Sequence, residues 1–177
     1  MKDYEFILKY ALPDHASDPE QYLDALYEAG CDDALIGIGL HGRLALDFTR
    51  KSTSALDAIT SAMHDVKKAI PMSRLIEATP DLVGISDLAA LLGHSRQNMR
   101  KIVHKSNFPN PMHAGSTALW HLYPVLDWFK TNDKYEIDET LIETLKEVSG
   151  VNMRVNVASQ MIICDSKISG SLEEILH

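Results

Sequence analysis

The chain has 177 residues, 45% of them hydrophobic and 24% charged, with a net charge of −8. These proportions belong to a soluble globular protein of one large or two small domains, and no apolar run approaches the ~20 residues of a membrane helix. The first residues, Met1-Lys2-Asp3-Tyr4-Glu5, carry acids and alternate, unlike a signal peptide. Cys31 and Cys164 are far apart and lack a Cys-x-x-Cys partner, which argues against a zinc site and for a reducing cytoplasm.

Residues 3–12 alternate, with Tyr4, Phe6, Leu8 and Tyr10 on one face, and read as a strand ended by Pro13. Ser17 or Asp18 then caps a helix with Pro19 at its first position, a stripe of Tyr22, Leu23, Leu26 and Tyr27, and Gly30 at its close. Two β-like runs follow, Ala34 to Gly39 and Arg43 to Arg50, with clean alternation of Leu44, Leu46 and Phe48. Ser52 or Ser54 caps a second helix bearing Leu56, Ile59, Met63 and Val66, which Pro71 stops. Ser73 to Ala78 reads as a fourth strand. The β-α-β-β-α-β order predicts a ferredoxin-like domain over residues 1–79. Such a fold does not fix a function. Ligand sensing, dimerisation and binding of a protein partner all remain open for it.

Nothing here points to catalysis. Asp14 and His15, and Asp32 and Asp33, are neighbours in predicted loops without further partners, and His41 and His64 read as structural. Gly37 and Gly39 lack the helix that a dinucleotide fingerprint requires. No catalytic residue, metal ligand or cofactor is expected.

Residues 80–83 form a short link, so the next unit is expected to touch the first. In residues 84–105, Ile85, Leu88, Ala89 and Leu92 recur at helical spacing, Gly93 follows, and Ser95 is placed to cap a second helix. That helix turns Met99, Ile102 and Val103 inward and leaves Arg96, Gln97, Arg100, Lys101 and His104 outside. The pattern is helix-turn-helix with a basic, amide-rich second helix, a composition suited to base edges and phosphates. Pro109 and Pro111 favour an extended segment, Gly115-Ser116 a turn, and Leu119 to Leu122 a return strand. Pro124 suits the first turn of a helix carrying Val125, Leu126, Trp128 and Phe129, with Trp120 and Trp128 in the core.

Leu88-Ala89-x-Leu91-Leu92-Gly93-x-Ser95-Arg96, then Phe108-Pro109-x-Pro111, Gly115, Trp120 and Val125-x-x-Trp128, resemble in order the excisionase and AlpA-like branch of the MerR-type winged helix-turn-helix proteins. The resemblance covers residues 82–131. It implies sequence-directed binding of double-stranded DNA, usually as a homodimer, by a transcriptional regulator or an architectural protein of mobile elements. Carried over by position, Ser95, Arg96, Gln97 and Asn98 begin the recognition helix. Arg100, Lys101, His104 and Lys105 supply later base or phosphate contacts, and the wing tip spans Ala114 to Thr117. Similar wings usually carry arginines; this one has none, and its polar groups are His113, Ser116, Thr117 and His121.

Residues 85–131 hold five Lys/Arg against two acids, while residues 1–84 hold eight against fourteen and residues 132–177 four against nine. Positive charge thus collects where the motif sits, as a local DNA footprint requires. After a polar link at 132–136, Asp138 caps a helix with Leu141, Ile142, Leu145 and Val148 on one face, ending near Gly150. Val151 to Ile163 fits strand or helix equally, and the tail carries a Leu172–Ile175–Leu176 stripe. Residues 132–177 are read as a helical or mixed segment, a dimer arm or a partner-binding element. The whole is an α+β chain, expected to be a cytoplasmic transcriptional regulator. The alternative is a protein-interaction module, an antitoxin or adaptor that binds a partner through its N- or C-terminal region.

Overall fold

The computed structural model describes residues 1–15, 17–132, 135 and 137–162. Cys164, the Leu172–Ile175–Leu176 stripe, and Asp133, Lys134 and Glu136 of the polar link lie outside the described residues. The architecture is mixed α+β, and the described residues form six α-helices and two antiparallel sheets. No helix among the described residues is long and apolar enough to cross a membrane.

The first sheet is built on β1 (Lys2–Ala11), whose even-numbered side chains from Tyr4 to Tyr10 are buried. β1 lies antiparallel to β3 (Arg43–Ser52), from Lys2 opposite Ser52 to Ala11 opposite Arg43. Two shorter strands flank this pair, β2 (Ala34–Gly37) on β3 and β4 (Arg74–Thr79) on β1, giving the order β2-β3-β1-β4. The register along β4 shifts between Lys9 and Tyr10, and Ile76 is left half-exposed at the irregularity. Phe6 and Phe48 face each other across the central strands and stack with centroids 5.2 Å apart.

Two helices link these strands, α1 (Leu23–Ala29) and α2 (Ala55–Ala69). A 3-10 turn over Pro19–Tyr22, capped by the Asp18 carboxylate, leads into α1. That turn winds with three residues per turn, so the apolar stripe read straight through it loses phase. Leu26 is buried, but Tyr27, expected inward, is 69% exposed. Ser54 caps α2 by accepting from the Asp57 N–H at 3.1 Å. The hydroxyls of Ser54 and Thr53 bond the Asp57 carboxylate and hold its pKa below the ordinary value. The inward face of α2 is Ala55, Ala58, Ile59, Ala62 and Val66, while Leu56 is exposed. Alanines let the helix lie close to the sheet, and that decides which side is buried.

The last helix corrects the expected ending near Gly150. After the Asp138 carboxylate accepts from the N–H groups of Thr140 and Leu141, α6 runs unbroken over Glu139–Met161. Val151 to Met161 is thus helix rather than strand, and Leu141 is exposed. Ile142 joins the core of the following unit, with Leu145 packed against it. Val148 joins the core of the sheet, with Val151 and Val155 packed against it. One helix therefore belongs to both cores. Lys2 and Tyr4 of β1 reach Glu147 at 3.0 and 2.9 Å, and hydrogen bonding to Lys2 helps hold that carboxyl below its ordinary pKa.

Cys31 places a thiol in the sheet core. Burial, with Asp65 adding, pushes the Cys31 thiol up to about 11. The reactive thiolate at neutral pH is then about a hundredfold scarcer than for an ordinary cysteine. In a Cys164→Ser variant, Cys31 should resist iodoacetamide in the native state and react at the rate of unfolding. Labelling at the rate of a free thiol would contradict this burial.

Candidate nucleic-acid interface

The second core is organised by two helices and a small sheet. β5 (Leu82–Val83) pairs antiparallel with β7 (Ala118–His121), which also pairs with β6 (His113–Ala114). α3 (Ile85–Leu91) and α4 (Arg96–Val103) lie between β5 and β6 in the chain, and α5 (Leu122–Thr131) follows β7 directly. Leu88, Ala89, Leu92, Met99 and Ile102 pack with Trp120, Leu122, Val125, Leu126, Trp128 and Phe129 in one cluster. Trp120 and Trp128 are core residues, as expected, and the Trp120 indole N–H donates to the Pro109 carbonyl at 3.0 Å. Phe108 stands edge-on to both tryptophans.

The turn between α3 and α4 has a definite chemical basis. Gly93 sits at φ +67°, a backbone state that L side chains rarely adopt. Its N–H reaches the Ala90 carbonyl at 3.5 Å, while the His94 N–H bonds the Ala89 carbonyl at 2.9 Å. These two bonds close α3 in the Schellman manner. Two residues on, Ser95 Oγ accepts from the Asn98 N–H at 3.1 Å and starts α4.

On α4, Met99 and Ile102 are buried, and Arg96, Gln97, Asn98, Arg100 and Lys101 are all exposed. Positions 96, 97, 100, 101 and 104 form a continuous outward strip at helical spacing. Arg96, Arg100 and Lys101 make no ion pair with the described residues, and α4 carries no acid. The nearest acid before the turn, Asp87, is engaged by the Gly84 N–H at 2.8 Å. His104, at the end of α4, has Nδ1 2.6 Å from the Arg100 carbonyl oxygen. Lys105 is held rather than free: its ammonium donates to the Tyr135 hydroxyl and lies 5.1 Å from that ring's centroid.

The hairpin carries the remaining expected contacts. His113, Ser116 and Thr117 are exposed at or beside its tip. A Cβ on Gly115 would come within 2.2 Å of His113 Nε2, so the imidazole lies across the tip backbone and would swing outward to admit a side chain there. The hairpin is short and uncharged, with no cation between His113 and His121.

His121 departs from the expectation that it belongs to the wing's polar groups. Its side chain turns inward, and Nδ1 lies 2.7 Å from the Asp81 carboxylate. A carboxylate only accepts, so Nδ1 carries the proton of that bond. The other Asp81 oxygen accepts from the Asn156 amide at 2.8 Å. Asn156 in turn accepts from the Ala78 N–H at 2.7 Å and donates to the Ala78 carbonyl at 2.8 Å, pairing with β4 as a strand would. Asn152 donates to the Pro80 carbonyl at 3.2 Å, and the Leu122 N–H bonds the Asp81 carbonyl at 2.7 Å. Asp81 is 1% exposed. This buried polar bridge ties β4, the link, α5 and α6 together, and it fixes the two-helix unit against the sheet. Sequence reading did not find it. The only available signal was the recurrence of Asn152 and Asn156 four residues apart, the spacing of one helix face.

Compared with protein-family models, with curated proteins and with solved structures, the chain matches none.

Proposed function

We propose that the chain is a sequence-specific DNA-binding transcriptional regulator. In this reading residues 1–79 are a ferredoxin-like unit and residues 82–131 a winged helix-turn-helix of the excisionase and AlpA-like kind. The sheet order β2-β3-β1-β4 supports the first assignment. Two helices around a glycine turn, followed by a hairpin paired to a strand before the first helix, support the second. The observation that carries the function is α4. In a chain of net charge −8 it presents three cations and two amides outward, with no acid of its own and no ion pair to the described residues. Ionised groups left unpaired on a rigid helix suit phosphate and base edges, which a compact anion or a buried surface would not need in a row.

Arg96, Gln97 and Asn98, at the start of α4, are assigned to base edges, with Ser95 fixing their helix. Arg100, Lys101, His104 and Lys105 are assigned chiefly to phosphate. His113, Ser116 and Thr117 are assigned to backbone contacts from the hairpin. Arg96→Ala should cost about 1–3 kcal/mol and relax preference at one operator position. Lys101→Ala should instead weaken all duplexes alike and lower the salt slope by about one. Fluorescence anisotropy at several salt concentrations separates the two. Unchanged affinity and base preference in Arg96→Ala would contradict the assignment. A protein partner is favoured over DNA by the acidic flanking regions and by a hairpin tip without Lys or Arg; duplex binding absent at low salt would select that reading.

A further inference from the structure

The sheet of residues 1–79 has a second face. Helices α1, α2 and α6 cover the side that bears Tyr4, Phe6 and Leu8. The odd-numbered residues of β1 and β3 point the other way, and among the described residues all of them are exposed or half-buried. Its two central rows mix apolar and charged groups: Leu35, 78% exposed, and Ile7 flank Asp47 in one, and Gly37 and Ala45 lie beside Lys9 and Glu77 in the other. Leu40 and Ile76 add further exposed apolar surface at one end.

The charges on this face are arranged by position. Toward the start of β1, Asp3 and Glu5 outnumber Lys51, and Asp47 adds a further acid opposite Ile7 at the strand's midpoint. In the following row Lys9 and Glu77 neutralise each other at 2.7 Å. At the far end Arg43 and Arg74 flank Ala11 with no acid. Asp3, Glu5, Asp47, Arg43 and Arg74 make no ion pair with the described residues. The face is therefore neutral as a whole and dipolar along the strands, in a chain that is strongly acidic. A groove of about 470 Å³ opens at the acidic end, between Ile7, Asp47 and Leu91 of the α3 turn. One of about 440 Å³ opens at the basic end, between Leu40, Arg43 and Ile76.

A partner of one charge sign would meet repulsion at one end. A surface with the same dipole reversed meets attraction at both, and this face supplies that surface itself. We propose that the open face of the sheet is the contact between two copies of this chain. The two-fold axis lies in the plane of contact and runs across the strands. It lays β1 antiparallel over its mate, sets Glu5 and Asp47 against Arg43 and Arg74 of the other copy, and turns Leu40 and Ile76 toward the other's acidic-end groove. Such a contact is isologous and closes at two copies. An axis along the strands would superpose like ends and be repulsive. The inference rests on the sheet alone and stands apart from the DNA reading.

The test is a charge swap on the full chain, read by sedimentation velocity and native mass spectrometry. E5K/D47K makes both ends basic, and R43E/R74E makes both ends acidic. The four side chains are solvent-facing, so melting curves should match wild type and serve as the folding control. Wild type should dimerise, and each variant alone should dimerise about a hundredfold more weakly. An equimolar mixture should recover dimers containing one chain of each kind. A wild type that stays monomeric at all concentrations overturns the proposal. Variants that dimerise like wild type, or a mixture that forms no mixed dimer, overturn it as well.

Discussion

Replacing Arg50 by alanine should destabilise the chain by about 3 kcal/mol. Arg50 occupies the inward position that follows Leu44, Leu46 and Phe48 on β3, and only 8% of it is exposed. Its Nε and Nη2 grip the Asp33 carboxylate at 2.7 and 2.9 Å. Nη1 reaches Asp65 at 2.7 Å and Ser61 at 3.1 Å, and Nη2 also donates to the Gly30 carbonyl at 2.7 Å. Burial opposes the charge, but bonds to Asp33 and Asp65 outweigh it and hold the guanidinium pKa above its ordinary value. One residue thereby pins β3 to α2 and to the turn after α1. Without it two carboxylates face each other across a space that water reaches poorly. Fully buried pairs broken this way lose about 3–5 kcal/mol, and the partial exposure of Asp33 and Asp65 places this one at the lower end. The melting temperature should fall by roughly 6–12 °C for a chain of this size. Arg50→Lys should recover little, because a compact ammonium with three donors cannot replace a planar fork that makes five bonds, two of them gripping Asp33. Adding Asp33→Asn to Arg50→Ala should restore part of the loss by removing one orphaned charge. Urea unfolding measures all three. A loss below about 1 kcal/mol in Arg50→Ala would show that the network is not under strain when broken.

Asn156→Ala should cost about 3 kcal/mol, in a different part of the molecule. The change removes partners from the Ala78 N–H, the Ala78 carbonyl and the Asp81 carboxylate. Each buried polar group left unpaired costs about 1–3 kcal/mol, and a charged one costs more. Relaxation and entering water offset part of that sum. Hydrogen exchange gives the signature that a mere packing defect would not produce. Amides of the second half of α6 and of Ala78 should lose protection together, while those of the β1–β3 pair keep theirs. Uniform loss across the sheet would contradict a local role for the bridge.

These two clusters also mark where sequence reasoning runs out. Strands β1 and β3 were legible because alternation of large apolar residues over ten positions has no helical counterpart. The α3–α4 turn was legible because Gly93 and Ser95 have specific jobs, closing one helix and opening the next. Arg50, Asn152 and Asn156 were not, because a polar residue on an inward face reads as an interruption until its partners are known. Gly150 and the alternation of Val151, Met153, Val155 and Val157 made the helix seem to stop near Gly150, when it continues to Met161. Tyr27 and Leu56 failed for the opposite reason: large apolar side chains attracted the assignment, while a 3-10 turn and a face of alanines set the true orientation. At the candidate interface, the outward position of Arg96, Gln97, Arg100, Lys101 and His104 followed from spacing alone. The inward turn of His121 and the tether on Lys105 did not, since both depend on Asp81 and Tyr135, forty and thirty residues away in sequence.

The measurement that bears most directly on the account is selection of duplexes from a random-sequence pool by the full wild-type chain. An enriched common motif is expected, bound in a salt-dependent way, with enrichment lost in Arg96→Ala/Gln97→Ala while the melting curve is unchanged. A folded wild-type chain that enriches no motif over the starting pool would contradict sequence-directed DNA binding through α4.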